Sequence, residues 1–170
     1  MYNRLKPYEE YKETGGFWLE TLPSHWDCEK LGNRFRERRI KVSDKDFVPL
    51  SVTKKGIVPQ LSTAAKSNDG DNRKLVKSGD FVINSRSDRK GSSGLSELEG
   101  SVSLINTVLQ PIDIVPKYTH YLLRSFGFIE EFYRNGRGIV ADLWTTRFLE
   151  MRNINIPIPP KEEQDQMVQK

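Results

Sequence analysis

The hydrophobic residues of the segment 116–136, PKYTHYLLRSFGFIEEFYRNG, recur at helical spacing. The positions that fall on one face are Tyr118, Leu122, Phe126, Ile129 and Phe132 or Tyr133. Pro116 suits a first helical turn, and Asn135 followed by Gly136 is a typical helix end. The pattern predicts one long helix whose aromatic stripe packs into the core.

Shorter hydrophobic runs with alternating polar positions predict strands elsewhere in the chain. The candidate segments are 46–52, 56–62, 74–84, 101–111 and 153–160. Pro49 and Pro59 interrupt the first two, which favours edges or bulges because proline cannot donate to a strand ladder. In the third segment, Ser78, Gly79 and Asp80 predict a corner before the strand that begins at Phe81, and residues 67–71 predict another turn.

Three other segments are predicted to be helical. Residues 28–42, CEKLGNRFRERRIKV, place Leu31, Phe35 and Val42 near one face and Lys30, Arg34, Arg38 and Lys41 along a neighbouring one. That basic face either contacts a nucleic-acid backbone or is simply solvated. Residues 143–151 predict a short helix with Thr145 or Thr146 as its N-cap. Residues 160–170 begin a helix at Pro160, with acidic residues in its first turn.

Composition and charge limit the class of protein. A chain of 170 residues with 36% hydrophobic residues is long enough for one domain with a core. The net charge of +4 is unevenly distributed, since residues 1–29 carry −3, residues 160–170 carry −1 and residues 30–159 therefore carry +8. A basic centre favours a polyanionic partner, although any single run of Lys and Arg more often only solvates a surface.

Several kinds of protein are disfavoured. Cys28 is the only cysteine, which excludes an intrachain disulfide and favours a cytosolic protein. No apolar run approaches the roughly 20 residues of a membrane span, and the first residues lack the apolar region of a secretion signal. His25 and His120 have no cysteine cluster beside them, which disfavours a metal site. The aromatic run at 17–26 is expected to pin a chain end to the core, with His25 packing or hydrogen-bonding there.

A polar run separates Ile83 from the next predicted strand. Residues 83–106, INSRSDRKGSSGLSELEGSVSLIN, are rich in Ser and Gly and carry Arg86, Arg89 and Lys90. A loop of small residues exposes its backbone N–H groups and can follow a phosphate chain, and arginine forks match guanine edges or phosphates. From the residues alone, this interpretation stands beside that of a mobile, solvated loop with no partner.

Five segments, taken in order, resemble a known family. They are YKETGGFWLETLPSHW, LVKSGDFVINSRSDRKG, NTVLQP, YTHYLLRS and IPIPPKEEQ. Together they are similar to the target-recognition domain of the specificity subunit of type I restriction-modification systems. The terminal PIPPKEEQDQM resembles the start of the spacer helix of that family, and the resemblance covers nearly the whole chain.

The resemblance implies an α+β fold with a twisted, mainly antiparallel sheet and flanking helices. It implies one DNA target-recognition domain over residues 1–158 and the start of a spacer helix over residues 159–170. The family's subunit has two such domains and two long helices, so a half-subunit, part of a two-domain subunit and a solitary paralogue all stay open. Binding of double-stranded DNA without catalysis is expected in the cytoplasm, beside modification and restriction subunits that use S-adenosylmethionine, ATP and magnesium. A complete helix is expected to allow a homodimer.

The residues expected to contact DNA come from three segments. The first supplies Lys54, Lys55, Thr63 and Lys66; the polar run supplies Ser85, Arg86, Ser87, Arg89, Lys90, Ser92 and Ser93; the third supplies Arg137, Trp144, Thr145 and Arg147. Arg86 and Arg89 are expected to read bases or bind phosphates, and Lys90 to neutralise a phosphate. Trp144 is expected to pack on a sugar or near a base, unless it is buried.

Three other functions remain as alternatives. A metal-dependent nuclease would need a carboxylate cluster, and the EYK at 10–12 lacks a preceding acidic strand. An RNA-binding module would expose aromatic pairs, whereas most aromatics here fall at core spacing. A protein-interaction module finds support in the terminal helix.

Overall fold

The computed structural model describes residues 7–16, 18–61, 70–140 and 143–169. The strands are β1 (Tyr11–Glu13), β2 (Thr21–Pro23), β3 (Asp27–Lys30), β4 (Phe35–Glu37), β5 (Lys41–Val42), β6 (Leu50–Thr53), β7 (Gly56–Pro59), β8 (Arg73–Val76), β9 (Phe81–Asn84), β10 (Ser93–Leu95), β11 (Gly100–Val102), β12 (Asn106–Pro111), β13 (Arg137–Val140), β14 (Leu143–Thr145) and β15 (Asn155–Ile158). The helices are α1 (Pro116–Leu123), α2 (Phe126–Arg134), α3 (Phe148–Met151) and α4 (Lys161–Val168), with short 3₁₀ turns at Leu31–Asn33 and Ser87–Arg89.

Two sheets form the centre of the domain. Their strand orders are β10-β9-β12-β4 and β11-β8-β5, and the remaining strands pair as β1–β2, β3–β15, β6–β7 and β13–β14. Every pairing between these strands is antiparallel. The mixed α+β class with mainly antiparallel strands is confirmed, and in the described parts of the chain the strands are divided among several small sheets.

Strand β9 is buried on both faces and organises the core. Phe81 and Ile83 lie in the larger cluster, which packs α1 and α2 against β4, β12 and β15. Val82, which points to the opposite face, lies in a smaller cluster with Val76 and Val102 from the second sheet. The corner predicted before Phe81 is confirmed, with Gly79 at a φ of 94° that other residues rarely adopt.

The aromatic run near the N-terminus fixes that part of the chain to the core, as predicted. The indole of Trp18 donates to the carbonyl of Asn155 at 2.9 Å. The indole of Trp26 donates to Glu163 on α4 at 2.7 Å, and Nε2 of His25 lies 2.9 Å from the same carboxylate. The hydrogen-bonding role expected of His25 is therefore confirmed.

The helix predicted over 28–42 is wrong. The segment instead forms β3, a 3₁₀ turn, β4 and β5, because β3 pairs with β15 and β4 pairs with β12. Leu31 and Phe35 are buried as expected, at 0% and 1% exposure, but from a turn and a strand. Gly32 approaches the backbone of Arg152 so closely that an added Cβ would lie 3.3 Å from its carbonyl oxygen, which fits a close crossing.

Three further boundaries differ from the prediction. The helix over 116–136 is two helices, because Ser125 caps the second by accepting from the backbone N–H of Phe128. The strand over 101–111 is β11 and β12, separated by a turn at residues 103–105. The N-cap of α3 is Arg147, not Thr145 or Thr146.

The strand over Ile154, Ile156 and Ile158 and the terminal helix after Pro160 are confirmed. Among the described residues, no helix has the length and apolarity needed to cross a membrane.

Candidate functional site

The polar run after β9 is a fixed loop rather than a free finger. The hydroxyl of Tyr133 on α2 shares its one proton between the carbonyls of Asn84 at 2.8 Å and Arg89 at 3.2 Å, which holds both ends of the loop. Burial raises the pKa of Tyr133, so its hydroxyl remains a donor at neutral pH. Gly91 has a φ of 81°, which turns the chain back into β10.

Several serines of this loop are buried. Ser85, Ser92 and Ser93 are only 3%, 6% and 1% exposed, and their hydrogen bonds to a DNA backbone stay predictions. The hydroxyl of Ser85 instead lies 2.9 Å from that of Thr107 on β12. The hydroxyl of Ser87 accepts a hydrogen bond from the backbone N–H of Trp144 at 3.1 Å. The hydroxyls of Ser85 and Ser87 thus stabilise the loop internally, whereas that of Ser93 is buried without a hydrogen-bond partner among the described residues.

The cationic side chains of the loop remain at the surface. Arg86 donates to Asp88 at 3.1 Å and is 45% exposed, and Lys90 lies 3.3 Å from Glu130 and is 46% exposed. Arg89 is exposed, and among the described residues no carboxylate lies within ion-pairing distance of it. Exposed ion pairs of this kind contribute little energy and are readily exchanged for another anion.

The β6–β7 hairpin lies beside this loop and carries the first predicted segment. Lys54 and Lys55 are exposed at the tip, where Gly56 has a φ of 120°. The hairpin is held close to β10, since an added Cβ at Gly94 would come within 2.9 Å of the Cα of Gly56. Arg124 also donates to the carbonyl of Lys54. The predicted residues Thr63 and Lys66 lie outside the described residues.

Between the hairpin and the loop is a groove of about 600 Å³, here called the central groove. It is lined by Leu50, Ser51, Val52, Thr53, Lys54, Gln60, Leu61, Arg73, Asn84, Arg86, Asp88, Arg89, Ser92, Ser103, Ile105 and Asn106. Four of these side chains are cationic and one, Asp88, is anionic and already paired with Arg86. The groove thus brings together two segments that the sequence had suggested separately, around a positive and polar surface.

Arg73 also lines the central groove, although its sequence context did not indicate such a position. It is 4% exposed, and its Nε and Nη2 donate to the hydroxyl and carbonyl of Ser101 at 2.9 and 3.0 Å. Burial lowers the pKa of Arg73, although a guanidinium remains charged in proteins. Its position could not be inferred from a strand reading RKLV, because the partner Ser101 is 28 residues away.

The third predicted segment lies against the loop. Thr145 on β14 forms an antiparallel bridge with Arg86, and the backbone N–H of Thr146 donates to the carbonyl of Ser85 at 2.9 Å. Trp144 is half-buried, with its indole donating to the carbonyl of Tyr133 at 2.7 Å. Its ring covers Gly136, where an added Cβ would lie 2.0 Å from a ring carbon. Trp144 therefore packs within the domain, and its contact with a sugar or a base stays a prediction.

Two arginines of that segment lie around a second cavity of about 510 Å³. Arg147 is 62% exposed and donates to Glu150 at 2.6 Å, while Arg137 is 80% exposed and 4.0 Å from the same residue. The hydrogen bond from Arg147 lowers the pKa of Glu150 and raises that of Arg147. These cations lie outside the central groove, and the bridge between Thr145 and Arg86 joins their segment to it.

The histidines have structural partners. The Nδ1 of His120 accepts from the backbone N–H of Leu95 at 3.0 Å, and its Nε2 lies 3.0 Å from Arg124. Burial and then the charge of Arg124 lower the pKa of His120. In the described parts of the chain, no three His, Cys, Asp or Glu side chains are grouped so as to hold a metal ion.

Comparisons with known proteins identify the fold. No protein-family model matches the chain, and no curated protein sequence matches it at a significant level. A chain from a structural study of complex assembly and conformational transition in the type I R-M system is 17% identical, with a TM-score of 0.62, and the match covers 94% of this chain and 39% of that one.

Two solved specificity subunits give the same result. The HsdS subunit from Thermoanaerobacter tengcongensis is 17% identical, with a TM-score of 0.56 over 94% of this chain and 38% of that one. The type I restriction-modification S subunit from M. genitalium is 17% identical, with a TM-score of 0.57 over 85% of this chain and 37% of that one. This chain has the fold of type I S subunits and spans about two fifths of the solved chains that it matches. The resemblance seen in the sequence is confirmed at the level of the fold.

Proposed function

We propose that this chain is a target-recognition domain of a type I specificity subunit and that it binds double-stranded DNA along the central groove. The observation that carries the proposal is the convergence of Lys54, Arg86 and Arg89 on one groove, on a fold that type I S subunits share. Phosphate neutralisation supplies most of the affinity in protein–DNA complexes, and side chains that reach base edges supply the sequence preference.

The groove suits an extended polyanion better than a small ligand. It is bordered by exposed cations on both sides, and its lining contains polar side chains such as Gln60, Asn84 and Asn106. An enclosed apolar pocket, which small organic ligands prefer, is a different kind of site. Arg137 and Arg147 extend the positive surface beyond the loop, where they are suited to further phosphates.

Arg86 and Arg89 are the side chains proposed to read bases. Both project from a loop whose ends are fixed by Tyr133, so the backbone positions from which they extend are held in place. Each guanidinium offers a planar fork that matches the O6 and N7 of guanine in the major groove. Lys90, a point charge beside Glu130, is proposed to contact a phosphate.

Catalysis is proposed to belong to partner subunits. In this proposal the chain directs modification and restriction subunits to a DNA site. Those subunits, and not this chain, use S-adenosylmethionine, ATP and magnesium. Helix α4 is proposed as part of a spacer that joins recognition domains and allows two copies to pair.

Selection of duplexes from a random pool tests the proposed function. The expected result is a short recurrent half-site that the chain binds more tightly than unrelated duplexes of the same length. Recovery of no shared sequence, together with equal affinity for all duplexes, would refute sequence recognition. Preference for a single-stranded RNA pool over the DNA pool would favour the RNA-binding alternative.

A further inference from the structure

Arg73 is a buried cation in the lining of the central groove. The side chain is 4% exposed, and two of its three guanidinium nitrogens donate to Ser101 on β11. In the described part of the chain, Nη1 has no hydrogen-bond partner and no carboxylate forms an ion pair with Arg73. The charge is therefore held by neutral acceptors alone.

This arrangement is costly for the isolated domain. Removing a guanidinium from water is expensive, and buried charges in proteins are normally paired with an opposite charge. Burial accordingly lowers the pKa of Arg73, with the more distant Asp44 opposing the shift. A neutral side chain such as Gln is able to form hydrogen bonds to Ser101 without that cost. The retained charge therefore points to an anion that arrives from outside.

We infer that Arg73 binds a phosphate of the DNA backbone that enters the central groove. The inference rests on the proposed function and names the chemistry of one subsite within it. A phosphodiester protrudes from the surface of a duplex, whereas base edges lie recessed between the two strands. A recessed guanidinium therefore meets a phosphate first. Because Nε and Nη2 of Arg73 are already occupied, a single nitrogen remains, which suits one phosphate oxygen and not a two-point contact to guanine.

The rim cations complete the subsite. Lys54 lies on the hairpin side of the groove and Arg86 and Arg89 on the loop side, so a backbone segment passing between them has positive charge on both flanks and at the floor. Asp88 is the single acidic side chain in the lining, and its pairing with Arg86 reduces its repulsion of a phosphate. Arg73 acts as the recessed anchor of this arrangement.

Replacing single phosphates by uncharged methylphosphonates tests the inference on the duplex recovered by selection. Wild type, Arg73→Gln and the matched charge control Arg39→Gln are compared at each position, since Arg39 is 78% exposed and does not line the groove. At one position, neutralising the phosphate is expected to weaken DNA binding by wild type and by Arg39→Gln on the order of tenfold. The affinity of Arg73→Gln is expected to stay nearly unchanged at that position. Arg73→Gln is also expected to keep the base preference of wild type.

The outcomes separate this inference from the proposed function. Sequence-selective binding by wild type with identical methylphosphonate profiles in wild type and Arg73→Gln would overturn the role of Arg73 and leave the function standing. Absence of sequence-selective binding by wild type would overturn the function itself. If Arg73→Gln loses its circular-dichroism signature, the scan is repeated with Arg73→Lys. A lysine keeps the charge but lacks the third donor nitrogen that would reach the phosphate while the other two hold Ser101. Sensitivity at that one position is then expected to fall severalfold, and a profile identical to that of wild type would overturn the inference.

Discussion

Arg38 and Asp80 form a two-point ion pair beside the sheet β10-β9-β12-β4. Nε and Nη2 of Arg38 donate to the two carboxylate oxygens of Asp80 at 2.7 and 3.1 Å. Asp80 is 2% exposed and sits directly before β9, the strand that leads into the 84–92 loop. The pair therefore joins the segment after β4 to the corner that positions the loop. The cost of burying both charges is offset only while both partners are present.

Replacement of Arg38 by Ala is expected to destabilise the domain by about 2–4 kcal/mol, because it leaves the carboxylate of Asp80 buried with a reduced set of donors. Urea unfolding followed by circular dichroism measures the change. Arg39→Ala is the matched control, since that side chain is 78% exposed and 3.9 Å from Glu37. Its expected effect is below about 0.5 kcal/mol. Equal effects of the two variants would contradict a stabilising role for the pair.

Loss of the Tyr133 hydroxyl is expected to loosen the loop. Tyr133→Phe removes hydrogen bonds to the carbonyls of Asn84 and Arg89, and the expected cost is about 1–2 kcal/mol. Amide hydrogen exchange should accelerate at residues 84–92 more than in α1. Tyr121→Phe, at a side chain that is 55% exposed, serves as the control. Unchanged exchange in the loop would show that its conformation does not depend on Tyr133.

Stability is expected to depend on the protonation of His120. Its pKa is lowered from 6.5 by burial and by Arg124, so the unfolded chain binds a proton more readily than the folded domain. The stability that this difference in pKa gives the folded domain is fully present above the pKa of His120 in the unfolded chain. It is lost as the pH falls from about 6.5 through the pKa of His120 in the folded domain. His120→Gln keeps an acceptor for the N–H of Leu95 without titrating there. Thermal unfolding between about pH 8 and pH 5 should show a smaller loss for the variant, and parallel losses would contradict the assignment.

Base reading by the loop predicts different behaviour for its three cations. Arg86→Ala and Arg89→Ala are each expected to weaken binding to the selected site by about 1–3 kcal/mol and to relax the preference at particular base pairs. Lys90→Ala is expected to weaken binding to selected and to unrelated duplexes by a similar factor, because a phosphate contact carries no sequence information. Affinities for a panel of single-base variants of the site measure the difference. Uniform losses for all three variants would argue against base reading.

Local patterns predicted the elements whose partners lie close in sequence or whose alternation is strong. The corner at Gly79, the strand through Ile156 and the helix start after Pro160 follow from turn chemistry and periodicity. Leu31 and Phe35 are spaced as on a helix, yet Leu31 is buried from the 3₁₀ turn that follows the paired strand β3, and Phe35 from the paired strand β4. Tertiary pairing therefore prevailed over the local period, and Arg34 and Arg38 became ion-pair residues rather than a basic helix face.

The candidate site was predictable in part. The sequence indicated the cations of the loop and the hairpin, because basic residues that lie between Gly and Ser and outside the hydrophobic runs are expected at the surface. It did not indicate that Ser85, Ser92 and Ser93 point inward, since this depends on the pairing of β9 with β10 and β12. Arg73 was missed for the same reason: its place in the groove is set by Ser101 and the neighbouring hairpin, not by its own segment.

The salt dependence of duplex binding tests the central groove most directly. A triple variant of Lys54, Arg86 and Arg89 to Gln is compared with wild type and with a triple variant of Arg39, Lys41 and Lys117 to Gln, which removes the same charge from exposed residues outside the groove. Wild type should lose affinity linearly in log–log form, with a slope of about −0.9 for each phosphate contact. The groove variant should bind more weakly with a shallower slope, and the control should match wild type. Equal slopes for wild type and the groove variant, or an equal loss in the control, would contradict DNA binding along this groove.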